Sequence, residues 1–133
     1  MARYEQIAIT ADFLDKNPKS YFVFPDNIQH VGTELSTLLR DHEHTFGFTT
    51  KKFGDLDNSS FYKPEEYSPI FFEELIRLKR LITNNPDKMF YITKMDCASI
   101  NKYKIWENLI HHNLTLKLEK YDNVVFCWND KLV

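Results

Sequence analysis

Short apolar runs alternate with amphipathic segments along the chain. The runs are rich in aromatic and β-branched side chains, and several are apolar at nearly every position, which is typical of parallel strands covered on both faces. We expect the second run to end at Pro25, because proline has no N–H to donate to a ladder. The pattern predicts five strands, over Gln6–Thr10, Tyr21–Phe24, Phe46–Thr50, Met89–Thr93 and Val124–Trp128.

Apolar residues at helical spacing predict helices between these strands. One helix is predicted over Thr33–Arg40, with Thr33 as its N-cap. The best start signal in the chain is Ser68 followed by Pro69, and that helix should end before Pro86. The stretch between, residues 51–63, is rich in turn-forming residues and is predicted to be an exposed loop.

A last helix is predicted from about Asn101, and its end is ambiguous. Leu114, Leu116 and Leu118 alternate as in a strand, whereas Leu114 and Leu118 also keep helical spacing. We favour a helix to near Glu119. Strands alternating with helices predict a single three-layer α/β/α domain over residues 1–133, with a mostly parallel sheet.

The composition fits one folded domain. The 133 residues are 43% hydrophobic and 15% aromatic, which excludes a disordered chain. The net charge of −2 makes broad binding to nucleic acid unfavourable. No apolar run approaches the ~20 residues of a membrane span, and the N-terminus lacks the apolar core of a signal peptide. We therefore expect a cytoplasmic protein without membrane contact, with Cys97 and Cys127 as free thiols, and no metal or cofactor.

Polar residues stand at the carboxyl ends of the predicted strands. Asp26 and Asn27 follow the second strand, Thr49–Lys51 end the third, and Asp96 follows the fourth. Parallel sheets bind ligands beyond this edge, so the pattern indicates a ligand cleft. The alternative is that these residues only form turns, which are polar wherever strands end.

The order of the motifs resembles that of small macro-domain-like proteins, which are common in bacteriophages. The resemblance rests on Tyr21–Asn27, on Phe46–Lys51, and on Tyr91–Lys94 running into Cys97. The family pattern is F-V-F-G-D-N, then a Gly-rich helix start, G-I-P-T-K, and G-C-G-x-A-G. Order and spacing match over roughly residues 20–128, so the resemblance implies a macro-like fold.

The resemblance also implies a ligand, because the family's strand ends hold an ADP-ribose-like or other nucleotide-derived molecule. Asp26 and Asn27 would then bind a base or ribose. Thr49, Thr50 and Lys51 would line the middle of the cleft, and the segment from Asp96 to Asn101 would replace the phosphate loop.

Glycine is scarce where this ligand would bind. The chain has only 3 Gly, and Pro25, Asp96 and Ala98 stand where the family pattern has glycine. Glycine lets a backbone approach a diphosphate closely, whereas the carboxylate of Asp96 would repel it. We therefore expect an altered pocket.

A second candidate surface is a set of aromatic residues in and beside the predicted loop. Exposed aromatic residues often bind protein partners. The set is Phe53, Phe61, Tyr62 and Tyr67.

Two functions follow from these observations. One is a phage-type, non-enzymatic interaction protein with an altered nucleotide-binding fold, acting through the aromatic loop on a host protein in the host cytoplasm. The alternative is a binder or hydrolase of an ADP-ribose-like or other nucleotide-derived ligand. The sequence assigns no catalytic residue and leaves the oligomeric state open.

Overall fold

A computed structural model describes residues 1–29 and 39–129 of the chain. The helix predicted over residues 33–40 falls outside this part, apart from its last two residues. Among the described residues, none of the helices has the length and apolar character that a membrane span requires.

The described residues form a sheet of five parallel strands, which confirms the predicted α/β class. The spatial order is β1-β5-β4-β2-β3, so β1 and β3 are the edges. The strands are β1 (Arg3–Tyr4), β2 (Ser20–Asn27), β3 (Thr45–Lys51), β4 (Met89–Ile92) and β5 (Val124–Phe126).

Helices cover both faces of the sheet. The helix α1 (Ala11–Lys16) precedes β2, α2 (Pro64–Asn84) joins β3 to β4, and α3 (His111–Leu118) precedes β5. Phe90 and Ile92 of β4 lie in the core cluster with residues of α2 and α3. Tyr91, between them, points to the other face and meets Phe13 of α1, with ring centroids 5.2 Å apart. The arrangement is thus three-layered.

Two strand predictions are corrected. The first strand is Arg3–Tyr4 and not Gln6–Thr10, because only Arg3 and Tyr4 pair with β5. The second strand continues through Pro25 to Asn27. Beyond Val23 it pairs with β3 alone, so the missing N–H of Pro25 interrupts no ladder on the β4 side.

The start of α2 is also corrected. The helix begins at Pro64, and Ser68-Pro69 lies inside it. The carboxylate of Glu66 accepts a hydrogen bond from the backbone N–H of Lys63 at 3.2 Å, which caps the first turn. Pro64 supplies the proline that favours a first helical position, so the helix starts on a proline five residues before Pro69.

The ambiguous stretch near the end of the chain is helical. A π-helical segment, Trp106–Ile110, runs directly into α3. Leu114 and Leu118 are fully buried whereas Leu116 is 50% exposed, which is the helical pattern and not the strand alternation.

Side chains of α2 cap the outer edge of β3. Glu74 accepts the backbone N–H of Thr49 at 2.7 Å, and the hydroxyl of Tyr67 donates to the carbonyl of Thr49. Arg77 donates to the carbonyl of Gly47 at 3.1 Å and also pairs with Glu74. These bonds occupy backbone groups that an exposed edge strand would offer to another chain.

We predict that Glu74 makes stability depend on pH. Burial raises the pKa of Glu74, but hydrogen bonds from Arg77 and Thr49 outweigh it and hold the pKa below its ordinary value. A carboxylate with a lowered folded-state pKa stabilises the fold above its unfolded pKa, and this stability is lost as pH falls through the folded pKa. Glu74→Gln should therefore cost about 1.5–3 kcal/mol at pH 7, from the loss of charged hydrogen bonds.

Urea unfolding at pH 7 and at pH 3 measures both effects. The difference between wild type and Glu74→Gln should shrink at the lower pH. Glu73→Gln, at the exposed neighbouring position, should change stability little at either pH. A constant difference between wild type and Glu74→Gln across this range would contradict the assignment.

Candidate functional site

The predicted ligand residues do lie at the carboxyl edge of the sheet. In the register of β2 and β3, Asp26 stands opposite Thr49, and Asn27 stands opposite Lys51. Asp96 and Asn101 line a cleft of about 480 Å³ together with Phe61. Phe61 in turn forms an isolated antiparallel bridge with Lys51. The two groups of residues therefore adjoin through Phe61.

The carboxylate of Asp26 is used inside the protein. Its side chain is 1% exposed and receives hydrogen bonds from Arg40, from Nη2 at 2.5 Å and from Nε at 3.1 Å. The backbone N–H of Asn27 donates to the same oxygen at 2.8 Å. A Cβ at Gly47 would lie 2.4 Å from the other oxygen, so only glycine leaves room for this carboxylate. The geometry gives Asp26 a structural role at this edge.

Other predicted ligand residues are likewise engaged in internal hydrogen bonds. The hydroxyl of Thr50 donates to the carbonyl of Asp26 at 3.2 Å. Asn101 accepts the backbone N–H of Trp106 at 2.9 Å and donates to Glu107 at 2.6 Å. Asn101 thus caps the segment that leads into α3, and does not offer its amide to a ligand.

Lys51 is the exception among the predicted residues. It is only 5% exposed, and its Nζ lies 4.5 Å from the centre of the Phe61 ring. Among the described residues, no carboxylate lies within 4.0 Å of this ammonium group and no hydrogen bond reaches it. The stem of Lys51 is buried while its Nζ reaches solvent, so the ammonium group is positioned to bind an anion in the adjoining cleft.

Three further lysines gather near Lys51, and sequence analysis did not place them in the site. Lys102 lies over the Phe61 ring at 5.8 Å, and Lys63 lies over the Tyr103 ring at 5.6 Å. Lys104 shares the first cleft and has a φ of 60°, which is uncommon for a residue with a side chain. The sequence signal was the Lys-Tyr-Lys triplet at 102–104, which alone resembles any solvated turn.

A second cleft of about 510 Å³ lies on the other side of Phe61. Its lining includes Lys63, Tyr103, Asn58 and Ser59. Three carboxylates line the two clefts: Glu66 pairs with Lys52 at 2.7 Å, Asp96 lies 3.5 Å from Lys94, and the exposed Glu65 forms no ion pair among the described residues. The four lysines 51, 63, 102 and 104 form no ion pair within the part of the chain that the structure describes. We call Phe61, Tyr103 and these four residues the lysine cluster.

The aromatic loop is not the exposed surface that the sequence predicted. Phe61, Tyr62 and Tyr67 are 5%, 2% and 0% exposed. Tyr67 belongs to α2 and packs on Tyr62, with ring centroids 5.2 Å apart. Only Phe53, at 45%, is exposed as expected. The loop folds back onto the domain because Phe61 pairs with Lys51, so its aromatic residues enter the core.

Within the part of the chain that the structure describes, neither a metal-ligand cluster nor the Cys127 thiol contributes to this site. Over residues 1–29 and 39–129, no three His, Cys, Asp or Glu side chains are grouped as a metal ion would require. Cys97 and Cys127 are both free thiols. Burial, helped by Glu5, raises the pKa of Cys127 to about 12, so this thiol stays protonated and unreactive near neutral pH.

A family model described as a family of unknown function, DUF7831, matches residues 4–85, which is more than half of the chain. No curated protein and no solved structure matches.

We predict that Gly47→Ala destabilises the protein through Asp26. The added methyl must displace the carboxylate from Arg40, and disturbing a buried ion pair costs about 3–5 kcal/mol. Chemical denaturation measures this loss. In an Asp26→Ala background the same substitution should cost much less, because the group it collides with is gone. An equal cost in both backgrounds would refute the steric explanation.

Proposed function

The chain belongs to DUF7831, a family of unknown function, and we propose that it binds a nucleotide-derived anion, such as ADP-ribose or a nucleoside diphosphate, at the lysine cluster. The protein acts as a binding module and does not turn the ligand over. In this proposal the ligand binds at the predicted carboxyl edge of the sheet. Lysine side chains form most of the contacts with it, and Asp26 forms few.

The observation that carries the proposal is the unpartnered ammonium group of Lys51. The Lys51 side chain is largely buried but its Nζ still reaches solvent, so a phosphate in the adjoining cleft would bind this ammonium group through charge-assisted hydrogen bonds. The Phe61 ring beneath Nζ offers only a weak cation–π contact of roughly 0.5–2 kcal/mol. The ring thus holds the amine in place while leaving its donors for an anion.

The shape of the edge suits a ligand with both charged and flat parts. Clefts of about 480 and 510 Å³ flank Phe61, and each lies within the usual range of small-molecule sites. Lys102 and Lys104 on one side and Lys63 on the other supply cations to both. The half-buried ring of Tyr103 offers a surface on which a base could stack.

Two local irregularities support a ligand at this edge. The positive φ of Lys104 and the π-helical segment Trp106–Ile110 follow one another in the chain. Strained residues and π-helical turns cluster at functional sites, since each costs stability that ordinary packing would avoid.

Binding without hydrolysis is favoured by the internal contacts of two neighbouring acids. Glu66 is held by Lys52, and Glu107 is held by Asn101. Burial raises the pKa of Glu107, but the hydrogen bond from Asn101 and nearby lysines lower it overall, so Glu107 stays ionised as a structural acceptor. A role in binding a host protein would need a surface other than the four predicted aromatic residues, since three of them are buried.

Ligand-induced thermal stabilisation tests the proposal. ADP and ADP-ribose should raise Tm by several degrees, because a ligand at a hundred times its Kd stabilises the native state by about 2.7 kcal/mol. Adenosine, which has no phosphate, should not. Lys51→Met should abolish the shift and, without ligand, should leave Tm unchanged or higher, because it replaces an unpaired cation on a largely buried side chain with an apolar group.

The matched control is Lys117→Met, on the exposed surface of α3, which should keep the full shift. Equal shifts with adenosine and ADP, or an undiminished ADP shift in Lys51→Met, would overturn the proposal.

A further inference from the structure

A third cleft, which is also basic, lies at the amino end of the sheet, opposite the edge that carries the lysine cluster. It has a volume of about 790 Å³ and is built from the turns that enter β2, β4 and β5. Four lysines line it, against the two carboxylates of Asp87 and Asp122. The lysines are Lys16, Lys19, Lys88 and Lys120.

Three of these lysines lack ionic partners. Lys16 pairs with Asp12 at 3.1 Å. In residues 1–29 and 39–129, no carboxylate lies within 4.0 Å of the ammonium groups of Lys19, Lys88 or Lys120. Lys88 instead lies 5.5 Å over the Tyr21 ring, and Lys120 lies 5.4 Å over the Tyr121 ring. Their charges remain available to an incoming anion.

Helix dipoles account for only part of this cluster. The carboxyl ends of α1, α2 and α3 all point to this end of the sheet, and a cation within the last turn of a helix is stabilised there. Lys16 lies in the last turn of α1. Lys19 and Lys88 lie beyond the ends of α1 and α2, where the dipole effect has faded. Their convergence on one cleft therefore needs another reason.

The backbone around the cleft is held in place. The N–H of Met89 donates to the carbonyl of Lys19 at 2.8 Å, which ties the second strand to the fourth. The side chain of Asn123 donates to the carbonyls of Ile82 and Asn85, each at 3.2 Å. These bonds fix the positions from which Lys19 and Lys88 extend, so the cations are presented from a preorganised frame.

We infer that this cleft binds a small anion carrying two or more negative charges, either a polyphosphate or a polycarboxylate. The site is distinct from the lysine cluster at the carboxyl edge, and it is independent of the function proposed there. Two or three ammonium groups around one cleft match a compact multivalent anion. An anion with a single negative charge would leave most of these ammonium groups without a counter-charge.

To test this inference, the full chain is titrated with inorganic tripolyphosphate, and separately with citrate, at 0.15 M salt. Amide NMR shifts locate each binding event. The expected result is a saturable shift at Lys19, Lys88 and Asn123 for at least one probe, and the probe that binds more tightly identifies phosphate or carboxylate chemistry. Lys19→Ala/Lys88→Ala should weaken this event at least tenfold.

The matched control is Lys102→Ala/Lys104→Ala, which should leave the event at this cleft unchanged. It weakens only binding at the carboxyl edge, so failure of one site is distinguishable from failure of the other. Absence of saturable shifts with both probes, or an unchanged affinity in Lys19→Ala/Lys88→Ala, would overturn the inference.

Discussion

The buried carboxylate of Asp26 determines the geometry of the carboxyl edge. It lies where β2 runs past the end of β4 and pairs with β3 alone, and Arg40 neutralises it. Breaking such a pair costs several kcal/mol, because the remaining charge stays buried. Gly47 is constrained by the same group, since any Cβ there would collide with it. One side chain thus constrains the neighbouring glycine and positions Arg40.

This arrangement explains why the recognition that we propose at the edge depends on lysines. The polar groups nearest the strand ends already form hydrogen bonds within the protein. Thr50 donates to the carbonyl of Asp26, and Asn101 caps the segment leading to α3. What remains for a ligand is the set of unpaired ammonium groups around Phe61 and Tyr103. A pocket poor in glycine can still bind phosphate in this way, because lysine side chains reach an anion that the backbone cannot approach.

The sequence predicts the parts of the fold that follow local patterns. The apolar runs locate β2, β4 and β5, and the Asn-Asn-Pro sequence marks the end of α2. It does not predict β1, because two residues are too few to show a pattern, and their strand character comes from pairing with β5. The burial of Phe61 and Tyr62 is likewise tertiary, since local composition indicates only a loop.

The candidate site likewise combines features that the sequence predicts with features that depend on tertiary contacts. Lys51 and its position at a strand end follow from the sequence, but its lack of a partner is visible only in three dimensions. Asp26 and Asn101 have the right chemistry for a ligand and the right location, yet their hydrogen bonds are satisfied internally by Arg40 and Glu107. The macro-domain-like resemblance and the phage origin that it suggests stay predictions.

A crystal structure grown with ADP tests the central claim most directly. We predict density for a phosphate group within about 3 Å of Lys51 Nζ, at hydrogen-bond distance, with the Asp26–Arg40 pair undisturbed. Phosphate bound away from Lys51, or a ligand that displaces Arg40 from Asp26, would contradict it.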